Sequence, residues 1–159
     1  SYTYYISEFT NGETQEYLPS LWDNRHLFSF TGGYKLGKNW ELGVKFRYLG
    51  AAPYAQLDVD QSTQTYPQLL FDYGTLGQQR TRPFNAMDIR IDKKWNFQKW
   101  SLNAYIDVTN LYAAALPQPP VYGLNRDENG NISQPRQSVE IADLEVGQAI
   151  PTIGIIIDF

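Results

Sequence analysis

Apolar and polar side chains alternate with a period of two along much of this chain. In "HLFSFTGGYKLG", His26, Phe28, Phe30, Gly32, Tyr34 and Leu36 share one face, and Ser29, Thr31, Gly33 and Lys35 share the other. "WELGVKFRYLG" sets Trp40, Leu42, Val44, Phe46 and Tyr48 against Glu41, Gly43, Lys45 and Arg47. "AMDIRIDKKW" sets Met87, Ile89, Ile91 and Trp95 against Asp88, Arg90, Asp92 and Lys94. "WSLNAYIDVTN" sets Trp100, Leu102, Ala104, Ile106 and Val108 against Ser101, Asn103, Tyr105 and Asp107. The final "TIGIIIDF" sets Ile153, Ile155, Ile157 and Phe159 against Thr152, Gly154, Ile156 and Asp158. Strict alternation predicts strands with one face toward an apolar medium.

With the opening segment, whose two faces both carry tyrosine, this gives strands near 1–10, 26–36, 40–49, 86–95, 100–110 and 151–159. No amphipathic helix is expected; "SVEIADLEVG" (138–147) would form at most one turn. Connections alternate in length. "GKN" (37–39) and "NFQK" (96–99) are short, whereas 11–25, 50–85 and 111–150 are long. In a compact soluble domain such long structureless connections would count against the strand assignment. They match an outer-membrane barrel, with short turns at one rim and long loops at the other. Pairing Leu36 with Trp40 places Lys35 opposite Glu41, Phe30 opposite Phe46 and Phe28 opposite Tyr48. Pairing Trp95 with Trp100 brings Asp92 beside Asn103. It also sets Asp88 against Asp107, a repulsion that Arg90 would offset from the diagonal.

The apolar faces could pack in a core or meet lipid, and the polar faces do not decide between these. Aromatic placement is more specific. Trp40, Trp95 and Trp100 flank the short turns, and Tyr48 and His26 lie at the far ends of their strands. Amphipathic rings at strand ends with aliphatics between them are the pattern of an interfacial girdle. Six strands are too few to close a barrel, and open edges in hydrocarbon are costly, so further strands are expected.

Composition adds limits. No stretch approaches a membrane helix, and the mean hydropathy of −0.46 is compatible with a barrel, whose strands face lipid with half their side chains. The absence of cysteine removes disulfides and thiolate metal sites. A net charge of −4 with scattered cations gives no nucleic-acid surface. The opening "SYTYYISEF" has no initiator methionine or signal-peptide pattern and reads as mid-strand, so the chain is expected to be a piece of something longer.

The segments 18–54, 82–97 and 102–112 resemble the C-terminal barrel strands of TonB-dependent outer-membrane receptors, most nearly those of Bacteroidetes-type bacteria. The resemblance covers almost the whole chain apart from the variable loops. The ending resembles the signal read by the barrel assembly machinery, with Thr152, Gly154, Ile157 and Phe159 in its polar, glycine, apolar and aromatic positions. That signal marks outer-membrane barrels in general. The resemblance implies an all-β antiparallel transmembrane barrel of about 22 strands, of which this chain supplies about the last six. The plug domain and TonB box of the family are not in it. Implied partners are outer-membrane lipid, the rest of the barrel and its plug, TonB acting through the plug, the assembly machinery and a surface lipoprotein lid. The implied function is import of a scarce solute, such as a siderophore, cobalamin, glycan or peptide. Lys45, Arg47, Asp88, Arg90 and Asp92 would then face the lumen and plug, and the C-terminus would lie at the periplasmic edge. The alternatives are a non-transport barrel, such as an adhesin or assembly component, and a soluble β-sandwich binding module.

Little else suggests chemistry. The single histidine, His26, opens a strand on its apolar face and reads as a packing or interfacial residue. "DENGNIS" (127–133) alternates Asp127, Asn129 and Asn131 but lacks the glycine and acid of an EF-hand loop; its "NG" reads as a type I′ turn. "DVD" (58–60) is a weaker calcium candidate. No catalytic residue, metal or cofactor is expected. Tyr54, Tyr66, Phe71, Tyr73 and Tyr122 lie on the long connections, where aromatics either contact ligands or pack loops together.

Overall fold

The computed structural model describes residues 1–159 except 11, 13, 14 and 142–145. Its main element is a six-stranded antiparallel sheet built in chain order from β1 (Tyr2–Tyr4), β2 (His26–Gly37), β3 (Trp40–Leu49), β4 (Phe84–Asn96), β5 (Ser101–Thr109) and β6 (Ile150–Asp158). Every strand pairs with its sequence neighbour, so the sheet is a meander, and the chain is all-β. The sheet is open. β6 forms one edge, and β1 covers only Tyr2–Tyr4 opposite His26–Phe28 at the other.

The alternation holds through every pairing. Phe28, Phe30 and Tyr34 face Tyr48, Phe46 and Leu42. Met87, Ile89 and Ile91 face Phe46, Val44 and Leu42 from the other side. Ile91 then meets Ile106, which meets Ile153. One apolar surface therefore runs unbroken from β2 to β6.

Turn chemistry adjusts the expected registers. In the first hairpin Lys38 and Asn39 both have positive φ, at 49° and 61°, the type I′ geometry whose twist suits a hairpin. A bulge at Gly37, φ +84°, makes Gly37 the partner of Trp40 in place of Leu36. Lys35 still faces Glu41. The second hairpin is shifted by two positions: Asn96 pairs with Ser101 and Trp95 with Leu102. The shift preserves each side chain's face. It also removes the anticipated repulsion, because Asp107 now faces Arg90 rather than Asp88.

The three long connections lie at the end of the sheet opposite the short turns, and they contain structure of their own. The opening segment is not one strand. The chain bends after Tyr4, and Glu8–Thr10 pairs with Tyr17–Pro19 in a separate ribbon. Backbone bonds from Ser20 N to Ser7 O and from Tyr5 N to Arg25 O hold the bend. The second connection has two small ribbons and a helix that alternation did not reveal, α1 (Val59–Thr65). Asp58 caps it by accepting from Gln61 N at 2.9 Å. The third forms a ribbon of Val121–Leu124 with Ser138–Ile141. Ser138–Ile141 is thus a strand, not the helical turn anticipated there; 142–145 lie outside the described residues.

Burial is concentrated in these connections. Leu57, Leu76 and Leu124 are buried there, with Pro53, Asp23, Ser62 and Ser138. On the sheet Ala86 is buried, on the polar face close to the connections. No side chain on the sheet's apolar face is fully buried: Ile106 is 53% exposed and Ile155 66%. The packed connections lie at one end of the sheet and leave the oily side bare.

Candidate functional site

Three groups of residues stand out, and each depends on the strand period. The first is the apolar face with its two rims. Trp40, Trp95 and Trp100 stand at the short-turn rim, half-exposed. Trp100 stacks on Phe97, ring centroids 4.2 Å apart. Lys93, which the alternation of β4 also places on this face, was not singled out from the sequence. Its ammonium donates to the Lys38 carbonyl and lies 5.2 Å from the Trp40 ring and 5.6 Å from the Trp95 ring. At the other rim Tyr48 faces Phe28, and His26 stacks with Tyr2 and packs on Tyr4. The Tyr2 hydroxyl lies 2.8 Å from His26 Nδ1. His26 is thus engaged by both tyrosines of β1. From Trp40 to Tyr48 an extended strand covers about 26 Å.

The second group is the polar face. Arg47 Nη2 grips both carboxylate oxygens of Asp88, at 3.1 and 3.0 Å. Arg90 makes a two-pronged bond to Asp92, 2.8 Å at each prong, and Asn103 Nδ2 donates to Asp92 at 3.0 Å. Arg90 also lies 3.8 Å above the Tyr105 ring. Lys45 stands exposed beside this network, opposite Asp88 in register. The five residues singled out here thus share one face, but four of them pair with one another. Among the described residues, two buried side-chain polar atoms, Arg47 Nε and Asn103 Oδ1, lack a hydrogen-bond partner. A depression of about 240 Å³ opens beside Gly43, bordered by Lys45, Asp88, Arg90 and Asp107.

Gly154 joins this face to β6. A Cβ there would lie 2.2 Å from Tyr105 Cζ. The Tyr105 ring lies flat across the glycine, with the Arg90 guanidinium above it. Thr152 faces Asp107 and Ile157 faces Leu102. Phe159 follows the strand and is 100% exposed. The four terminal residues therefore do not converge on a site; they mark positions along an open edge.

The third group is the loop cap. Asp23, 1% exposed, receives Arg80 Nη2 at 2.5 Å, Ser7 N at 3.1 Å and Arg25 Nε at 3.5 Å. Burial alone would raise this carboxyl; the bonds from Arg80 and Ser7 outweigh it and hold it below its ordinary value. Arg80 thereby clasps the second connection to the first. Ser138 N donates to Thr63 Oγ1 at 2.8 Å and ties the third connection to α1. The loop aromatics take part in the same packing. Tyr54 donates to Gln79 at 2.6 Å, and Arg136 lies 5.7 Å from the Tyr66 ring. Burial pushes the Tyr122 hydroxyl up, and nearby Glu140 and Tyr54 add to this. Phe71 lies in a ribbon with Leu57, and Tyr73 is exposed. These five aromatics are spread over the cap and do not line one pocket.

The carboxylates behind the two calcium readings make local hydrogen bonds. Both Asp58 oxygens are taken by Gln61. Asp127 Oδ1 accepts from Asn129 N and Asn131 N. Only Gly130 in that turn has positive φ, so it is not type I′. No cluster of three or more acids or histidines suited to a metal occurs among the described residues. In comparisons with known proteins, no family model, no curated protein and no solved structure matches this chain.

Proposed function

We propose that this chain is a membrane-embedded segment of an outer-membrane β-barrel. The observation that carries the reading is the bare apolar face of the six-stranded sheet, continuous across five strands and rimmed by tryptophan and lysine at one end and by tyrosine and histidine at the other. A soluble sheet would cover that face with a second layer, and the chain places its packed connections elsewhere. The main strands of 12, 10, 13, 9 and 9 residues suit the roughly 9–11 residues of a tilted membrane strand. The open backbone edges of β2 and β6 need strands beside them in a membrane, supplied by a longer chain or by other chains.

Within that class, the resemblance of 18–54, 82–97 and 102–112 to TonB-dependent receptors favours solute import. The polar face would line the lumen beside a plug, with the cap outside the cell. A purified chain that stays folded only with detergent or lipid supports the membrane reading; a folded monomer in plain buffer refutes it. A plug domain encoded in frame ahead of this segment would support transport, and a barrel lacking one would favour an adhesin or assembly role.

A further inference from the structure

Five of the six lysines, Lys35, Lys38, Lys93, Lys94 and Lys99, lie at or beside the two short turns; the sixth is Lys45. Near them the acids are Glu41, opposite Lys35 and Asp92, Asp92 itself, which is held by Arg90, and Asp158, beside Ser101. The connections at the other end carry most of the acids: Glu8, Glu16, Asp23, Asp58, Asp60, Asp72, Asp127, Glu128 and Glu140 among the described residues. The sheet is therefore electrically polarised along its strands, positive at the short-turn rim.

Four of these lysines sit in turns or on the polar side, as solubility would place them. Lys93 does not. It occupies a position of the apolar face, between Trp40 and Ala104 in register, where no acid occurs. Its ammonium bends to the rim and donates to the Lys38 carbonyl between two indole rings. An ammonium has three donors, so the carbonyl leaves two free. A long side chain that buries its stem in oil and carries its charge to the edge is suited to the boundary between hydrocarbon and headgroups.

We infer that this rim binds the phosphate of an anionic glycerophospholipid, with Lys93 as the contact residue and Trp40 and Trp95 as its walls. The inference rests on the membrane reading above and adds a ligand class to it. The acyl chains would continue along the bare face toward Leu42 and Ile91, with the phosphate level with Lys93. Charge complementarity favours a headgroup without a compensating amine, because the neighbouring lysines add a positive field.

The test is flotation of the full chain with phosphatidylcholine vesicles and with vesicles in which phosphatidylglycerol replaces part of that lipid, at equal ionic strength. Phosphatidylglycerol should tighten binding, and Lys93→Gln should weaken that gain by about fivefold. Lys93→Arg should retain it, as should Arg126→Gln at the opposite end. An equal loss from Lys99→Gln would indicate a diffuse field and overturn the site. Loss of the preference when sodium phosphate replaces chloride would point to a soluble anion and overturn it too. Equal binding to both vesicles overturns the inference and leaves the membrane reading standing. Binding to neither overturns both.

Discussion

Gly154 shows how a single missing side chain can organise a face. Its position is filled by the Tyr105 ring, and Tyr105 in turn carries Arg90, which holds Asp92. Adding even one methyl must lift the ring. Gly154→Ala should therefore cost about 1–3 kcal/mol in chemical denaturation, and in a Tyr105→Ala background the cost should largely vanish. Additive losses in the double variant would show that the ring is not what the glycine accommodates. Asp23 offers a second test. Its carboxyl is held below the ordinary range, so the stabilisation it gives is complete above about pH 4 and fades as pH falls through the lowered value. Proteolysis of the connections should stay slow down to that pH and accelerate below it. Asp23→Asn should be cut faster at neutral pH and lose the acid step, because it removes the carboxylate that clasps the half-buried Arg80.

The elements divide into those written in local pattern and those set by distant partners. The five long strands were legible because a period of two reports directly which residues share a face. The two-residue shift of the second hairpin was not legible, because it changes no face; it is set by the turn at 97–100, where Phe97 stacks on Trp100, and by Arg90 meeting Asp107. The helix α1 is short and polar, so no apolar stripe announced it, although Asp58 before it is a good cap. Lys93 was passed over because a charged residue on an oily face looks like noise until its indole neighbours are placed. The loop cap depends on side chains reaching across connections, such as Arg80 to Asp23 and Ser138 to Thr63. Such pairings leave no periodic trace. Asn110 is the clearest case. With φ of 54°, it bonds Ala114 and Gln148 through its side chain and Asp88 through its backbone. It thus pins both ends of the third connection to the polar face. Asn110→Gly keeps the backbone conformation accessible and deletes the side-chain bonds. It should raise amide exchange around 110–115 and 146–149 and leave the strands protected. Unchanged exchange would assign the neck to backbone shape alone.

At the scale of the molecule the distribution of burial is inverted relative to a soluble sheet. The packed interior lies in the connections, and the aliphatic side of five strands is left uncovered. Hydrocarbon around that side is the account's central claim. The most direct measurement is the collisional accessibility of nitroxide labels placed one at a time from 102 to 108 along β5, with the chain in phosphatidylcholine bilayers. The account predicts that labels at Leu102, Ala104, Ile106 and Val108 are reached by oxygen dissolved in lipid, whereas those at Asn103, Tyr105 and Asp107 are reached preferentially by a water-soluble paramagnet. If the even-numbered labels are shielded from both reagents, a packed protein layer covers that face and the membrane account is wrong.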